Sequence, residues 1–198
     1  MPDINIAKTY KDIESRELLN QFCAKLRDHE LPSSYSDNPA WTRFVKTVMR
    51  EIGSSLGYQI RQEGYGGEFM EIDQTWRIHE PNLIKTFLAL EVENATTVEP
   101  LLDDELEKLV DIKSDLKVLA YYPYPFTAQS DMQDIKRIME VIKNGDSKSQ
   151  ERYVIIMMTA DASREDRWVK YSKLAVRAFE IRDNKSNQLG DSVEVPHE

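Results

Sequence analysis

The sequence predicts an α/β fold in which helices flank a mixed central sheet. Three observations lead to this prediction: two amphipathic helical patterns open the chain, three strand-like runs joined by short turns follow, and strands then alternate with helices. Short turns favour an antiparallel meander, whereas connections through helices favour parallel pairing. A mixed sheet follows from the combination.

The first 39 residues are predicted to form a helix and a loop that extend the main domain at its N-terminal side. Apolar residues recur at about the helical period over 4–30. Prolines bound the loop at 31–40, which is rich in Ser, Asp and Asn. Cys23 is interpreted as a small buried residue of this helix, and because it is the chain's one cysteine, no intrachain disulfide can form.

Residues 40–182 are predicted to form the α/β core. The spacing of apolar side chains distinguishes its helices from its strands. The predicted helices cover 40–56, 103–116 and 128–143, and the predicted strands cover 58–65, 68–78, 85–94, 117–124, 151–160 and 174–182. Residues 183–198 are a polar tail that we expect to be loose.

The composition limits the classes of partner. The net charge of −9 argues against broad, nonspecific nucleic-acid binding, although it leaves room for a local basic groove. No apolar run approaches the roughly 18 residues of a membrane span, and the first 30 residues lack the pattern of a signal peptide. We therefore expect a soluble cytoplasmic protein without membrane contact.

Four carboxylates, Glu71, Asp73, Glu91 and Glu93, fall in two runs that otherwise resemble buried strands. Because side chains alternate across a strand, Asp73 is predicted to share a face with Glu71, and Glu91 with Glu93. Adjacent carboxylates repel each other and lose hydration. A bound Mg²⁺ would offset both costs, while a solvent-facing polar side of the sheet is the alternative interpretation.

The order of elements adds to this pattern. A helix carrying Glu51 leads into the meander, Asp73 lies on its second strand, and "LEVEN" (90–94) places Glu91 and Glu93 on the third. Together these features resemble the PD-(D/E)XK nuclease superfamily, which has the restriction-endonuclease-like fold. The resemblance covers roughly residues 40–160.

The resemblance implies a metal-dependent phosphodiesterase that acts on nucleic acid, with DNA as the expected substrate. Asp73 and Glu91 would bind Mg²⁺ or Mn²⁺, Glu93 would be a further ligand, and Glu51 would assist. The family pattern has a lysine at the position of Glu93, and some members supply it from the next helix. Lys113, which continues an apolar stripe and is predicted to point inward, and Lys108 are the candidates here.

The departure at Glu93 leaves a second hypothesis open. A nuclease-like scaffold without its lysine is suited to a role as a catalytically inactive binding or assembly module, and the acidic composition fits a protein partner. The resemblance also implies a homodimer, since nuclease-fold proteins often pair, and an exposed first helix (4–30) could mediate it. A small-ligand binder that uses the same acidic pocket is a third possibility. Arg43, Lys46 and Arg50 on the helix of Glu51 would face phosphate in the first hypothesis, but a solvated helix face explains them more simply.

Overall fold

Helices pack on both faces of one mixed sheet, which confirms the predicted α/β class. A computed structural model describes residues 11–34, 37–62, 72–80, 83–95, 97–123, 128–145, 151–161 and 171–197. The helices are α1 (Ser15–Asp28), α2 (Asn38–Ser55), α3 (Leu106–Asp111) and α4 (Ala128–Gly145). The strands are β1 (Gln59–Gln62), β2 (Gln74–Glu80), β3 (Leu83–Glu93), β4 (Leu116–Tyr121), β5 (Arg152–Ala160), β6 (Lys173–Arg182), β7 (Lys185–Gln188) and β8 (Val193–Pro196).

The described strands form one sheet in the order β1-β2-β3-β4-β5-β6-β7, and β8 also pairs with β6. Strands β1, β2 and β3 form the predicted antiparallel meander. Strand β4 runs parallel to both β3 and β5, as expected for strands reached through helices. Strand β6 returns antiparallel to β5.

Each face of the sheet has its own hydrophobic core. On the first, which we call the α1/α2 face, Leu88, Leu90 and Val92 of β3 pack with apolar side chains of α1 and α2. On the second, the α3/α4 face, Ala89 of β3 packs with side chains of α3 and α4. The alternation along β3 therefore sends Glu91, two residues after Ala89, toward the α3/α4 face.

A β-bulge changes the face of one residue. The register of β2 and β3 shifts between Trp76 and Arg77, which pair with Leu88 and Thr86. Phe87 is the extra residue, and its ring stacks on Tyr58 in the core of the α1/α2 face. Strict alternation along β3 would place Phe87 on the face of Glu91, but the bulge, which the sequence pattern does not contain, turns it to the opposite face.

The helical structure that follows β3 ends earlier than the predicted helix 103–116. Leu101–Glu105 is a π-helical turn that continues directly into α3. α3 ends at Asp111, because Ile112 takes an extended backbone conformation. A π-helical turn shifts the side chains that follow it relative to a regular α-helix. The inward stripe predicted through Lys113 therefore does not exist.

The expectation of a loose tail after Asp183 is also wrong. Asp183 and Asn184 both have positive φ angles, 52° and 57°, and they connect β6 to β7 in a two-residue hairpin. β8 then pairs with the first half of β6, and Val195 is buried. The tail is thus polar in composition but is part of the sheet.

Parts of several predictions lie outside the described residues: the start of the first helix (4–10), positions 35–36 of the loop, the end of the strand 58–65, the start of the strand 68–78 with its carboxylate Glu71, and position 124 of the strand 117–124. Among the described helices, none has the combination of length and apolar character that crossing a bilayer requires.

Candidate functional site

Asp73 lies in a bend directly before β2, not inside a strand as predicted. Its Oδ2 atom accepts a hydrogen bond from the backbone N of Val92 at 2.9 Å. Its own backbone N donates to Oε1 of Glu91 at 3.3 Å. These two contacts link the bend to the end of β3 and bring Asp73 and Glu91 together.

Lys46 of α2 meets Asp73 from the α1/α2 face. Its Nζ lies 2.8 Å from Oδ1 of Asp73, and the side chains are only 6% and 16% exposed. The hypothesis of a solvated helix face is therefore wrong for Lys46. Its neighbours Val45 and Met49 are core residues, so its place beside an apolar stripe was the sequence signal that it points inward.

Gln74 links the sheet to the α2 backbone at Lys46. This amide is fully buried, and its Nε2 donates to the backbone O of Lys46 and to Oε1 of Gln62, each at 2.9 Å. Trp76 donates from Nε1 to Oε1 of Gln74 at 3.4 Å. Because Gln74 directly follows Asp73, one short segment positions both members of the ion pair.

Glu91 is 2% exposed and lies among other carboxylates. Burial, a hydrogen bond to Glu105 and the charge of Asp73 raise the pKa of Glu91 to about 10. At neutral pH the Glu91 carboxyl therefore carries a proton. Glu105, which was not predicted as a site residue, lies in the π-helical turn that follows β3.

Glu93 is the second carboxylate of β3 and is half-buried. Burial raises the pKa of Glu93, and the charge of Glu105 raises it further. The three carboxyls Glu91, Glu93 and Glu105 therefore form one electrostatically coupled group with Asp73, which we call the carboxylate cluster.

Lys108 is the second cation at the carboxylate cluster. Its Nζ lies 3.2 Å from Oε2 of Glu105 and 3.5 Å from Oδ1 of Asp104. Burial alone would lower the pKa of Lys108, but the hydrogen bond and charge of Glu105 raise it. Lys108 thus stays protonated and lowers the cost of the negative charges around it.

Lys113 and Glu51 lie away from the cluster. Lys113 is exposed and lines a groove with Lys85 and Thr86, at the opposite end of β3 from Glu91. Glu51 accepts from Lys25 at 3.0 Å and contacts His29 of the same α1 segment at 3.1 Å. The hydrogen bonds from Lys25 and His29 lower the pKa of Glu51.

The donor set of the cluster suits a hard divalent cation. Carboxylate oxygens are the ligands that Mg²⁺ and Mn²⁺ prefer. Burial first, and then the neighbouring Glu105 and Asp73, raise the pKa of Glu91, and a bound cation would offset these effects. In the described part of the chain, no three His, Cys, Asp or Glu side chains are arranged to hold a metal together. Two carboxylates are sufficient for Mg²⁺, which usually keeps several waters.

Comparison with known proteins identifies no family for this chain. No model of a protein family matches the chain, and no curated protein matches its sequence.

Proposed function

We propose that this protein is a metal-dependent phosphodiesterase that acts on nucleic acid, with DNA as the expected substrate. The observation that supports it best is the 3.3 Å contact between the backbone of Asp73 and the carboxyl of Glu91, with Lys46 on one side and Lys108 on the other. Paired carboxylates beside lysines are the groups that phosphoryl transfer needs. The resemblance of residues 40–160 to the PD-(D/E)XK nucleases agrees with this reading.

In this proposal Asp73 and Glu91 hold Mg²⁺ or Mn²⁺, waters complete the coordination, and Glu93 would act through one of these waters instead of as a direct ligand. When bound, such a cation polarises a phosphoryl oxygen and lowers the pKa of water. The buried Glu91 would first release its proton, because the charged carboxylate is the better ligand.

We assign the role of the missing motif lysine to Lys46, in place of Lys113 or Lys108, the two candidates from the sequence. Lys46 is held by Gln74 over Asp73, whereas Lys113 lies at the far end of β3. A fixed ammonium there would stabilise the negative charge that develops on the phosphate. Lys108, at the opposite side of Glu91, supplies a second positive charge.

We also propose a cytoplasmic location for the protein, because a chain with one cysteine suits a reducing compartment. Its partner is a nucleic-acid strand.

One observation favours a second candidate, a catalytically inactive binding module. The ammonium group of Lys46 forms an ion pair with Oδ1 of Asp73. In this candidate function the ammonium group neutralises Asp73 in place of a metal ion. The chain would then bind a protein partner or form a homodimer.

Nuclease assays separate the two candidates. The purified chain is incubated with single-stranded and duplex DNA and with RNA, in Mg²⁺, in Mn²⁺ and in EDTA. Metal-dependent cleavage that is lost in Asp73→Asn but kept in Glu51→Gln supports the phosphodiesterase. Binding of Mn²⁺ without cleavage of any of these substrates overturns it in favour of the binding module.

A further inference from the structure

Thr75 is a buried threonine of β2 whose hydroxyl group makes no hydrogen bond. The residue is 1% exposed, and among the residues that the structure describes no donor or acceptor reaches its Oγ1 atom. A hydroxyl group that loses water without gaining another partner destabilises the folded state. Such a group in a native structure requires an explanation, and a bound water or ion is one of them.

Thr159 shows how a buried threonine is usually accommodated. This residue of β5 is 6% exposed, and its Oγ1 atom accepts a hydrogen bond from Nη2 of Arg177 at 3.1 Å. Valine has nearly the shape of threonine and suits a buried strand position equally well, without a hydroxyl group to satisfy. Packing alone therefore does not account for a threonine at position 75.

The side chain of Thr75 lies on the same face of the sheet as the carboxylate cluster. Thr75 pairs with Ala89 of β3, and Ala89 packs in the core of the α3/α4 face. Its neighbours Gln74 and Trp76 point the other way, because Gln74 bonds to the backbone of α2 and Trp76 packs in the core of the α1/α2 face. Glu91 follows Ala89 by two residues and shares the face of Thr75.

The carboxyl group of Glu91 lies close to Thr75 along the two strands. Its Oε1 atom accepts a hydrogen bond from the backbone N of Asp73 at 3.3 Å, and Asp73 precedes Thr75 by two residues. Diagonal neighbours on paired antiparallel strands, such as Thr75 and Glu91, lie about 7–8 Å apart. Hydrogen bonds through a water molecule connect side chains at such a separation.

We propose that Thr75 is a positioning residue of the metal site, whose hydroxyl group holds a water molecule that the bound cation coordinates. This inference rests on the proposed function, because the cation is the Mg²⁺ or Mn²⁺ of Asp73 and Glu91. Mg²⁺ usually keeps several waters, and the lone pairs of a threonine oxygen accept hydrogen bonds from water. Groups that orient the ligands of a metal in this way strengthen its binding.

Burial of the residues agrees with this role. Thr75 and Glu91 are 1% and 2% exposed, so the water between them is internal to the protein. Internal waters typically bind buried polar groups that have no other partner. The role therefore needs no open surface over the meander.

The test separates the hydroxyl group of Thr75 from the shape of its side chain. Thr75→Val keeps the shape and removes the hydroxyl group, whereas Thr75→Ser keeps the hydroxyl group and removes a methyl group. Calorimetric titration with Mn²⁺ at one fixed pH measures the metal affinity of the full chain. Urea unfolding in EDTA measures the stability of the metal-free protein. Thr159→Val, which removes a buried hydroxyl group elsewhere in the sheet, is the matched control.

We expect Thr75→Val to bind Mn²⁺ about tenfold more weakly than the wild type, because a group that orients a metal ligand is lost. The same variant should unfold at a higher urea concentration, since it no longer buries an unpaired hydroxyl group. Thr75→Ser should keep most of the affinity for Mn²⁺ but unfold at a lower urea concentration. A merely structural threonine would not separate metal affinity from stability in this way.

The control Thr159→Val should show the reverse pattern. Loss of the hydrogen bond from Arg177 should lower its urea midpoint, while its affinity for Mn²⁺ should equal that of the wild type. Wild-type affinity for Mn²⁺ in Thr75→Val overturns the inference, as does equal weakening in Thr75→Val and Thr75→Ser. Failure of Thr75→Val to fold also overturns it, because the hydroxyl group would then support the fold itself.

DNA cleavage assays on the same samples keep the two proposals apart. Binding of Mn²⁺ that depends on the hydroxyl group, without cleavage, refutes the phosphodiesterase but retains the role of Thr75. Metal-dependent cleavage with an affinity that does not depend on the hydroxyl group refutes the role of Thr75 but retains the phosphodiesterase. A wild-type chain that does not bind Mn²⁺ and does not cleave DNA overturns both.

Discussion

The Nζ atom of Lys46 lies 2.8 Å from Oδ1 of Asp73, and this nearly buried ion pair joins a helix to the bend before a central strand. The backbone of the same aspartate contacts Glu91 on the other side. Asp73 is therefore the point at which the cationic and the carboxylate sides of the site meet.

Replacing Lys46 by Met should lower the rate of DNA cleavage by about 10²–10³-fold, because a fixed charge near the developing negative charge is lost. Affinity for Mn²⁺ should stay the same or increase, since Oδ1 of Asp73 is released from the ion pair. Single-turnover cleavage and calorimetric titration measure the two effects. The control is Lys25→Met, which removes an equal charge near Glu51 and should cleave DNA at the wild-type rate. A wild-type cleavage rate in Lys46→Met would refute the role assigned to Lys46.

The stability of the metal-free protein should fall as the pH rises from about 5 toward 10. The pKa of Glu91 is raised from 4.5 to about 10 in the folded state, so the folded state binds more protons than the unfolded state within this window. The free energy of unfolding then decreases with pH. Urea unfolding in EDTA measures it for the wild type, for Glu91→Gln and for the exposed control Glu80→Gln.

Glu91→Gln should remove much of this pH dependence, because the amide has no proton to lose, and it should be more stable than the wild type by a few kcal/mol at the alkaline end. Glu80→Gln should follow the wild-type curve. Parallel curves for the wild type and Glu91→Gln would show that Glu91 does not titrate as described.

Binding of Mn²⁺ should release protons. A divalent cation at Asp73 and Glu91 must displace the proton of Glu91, so the affinity should rise by up to about tenfold per pH unit near neutrality. Calorimetry in two buffers of different ionisation enthalpy counts the protons. Glu51→Gln should bind as tightly as the wild type, since Glu51 is paired with α1; equal affinity at all pH values would contradict the prediction.

Arg177→Met should destabilise the fold by about 3–5 kcal/mol, because it leaves the Asp131 carboxylate buried without its cation. In the wild type, Nε of Arg177 lies 2.6 Å from Oδ2 of Asp131, and both side chains are 4% exposed. Urea unfolding should show recovery in the double variant Arg177→Met/Asp131→Leu. Arg182→Met removes an exposed arginine from the same strand and is the control, for which we expect little loss of stability. An equally small loss of stability in Arg177→Met would contradict the prediction.

The sequence was sufficient to predict the sheet and the strand that carries Glu91, because apolar spacing along a strand is a local property. It did not identify Lys46 or Glu105. The apolar stripe beside Lys46 indicates that this lysine points inward, but the sequence does not show that its partner is Asp73, because that depends on long-range packing. Glu105 reaches the cluster through a π-helical turn that leaves no clear pattern in the sequence.

Two wrong predictions have a similar cause. Lys113 was placed on a helical stripe, but α3 ends two residues earlier at Asp111, and apolar spacing alone does not determine a helix end. The polar segment after Asp183 was expected to be loose because it contributes few apolar residues. Its strands are held mainly by backbone hydrogen bonds to β6, which side-chain patterns do not reveal.

The pairing of β7 and β8 with β6 has a consequence for solubility. β7 covers the half of β6 that ends at Arg182, and β8 covers the half that begins at Lys173. Together they shield a long apolar edge whose open amides would otherwise recruit strands from other molecules. A chain shortened at Arg182 should therefore self-associate, even though every residue of the carboxylate cluster is kept.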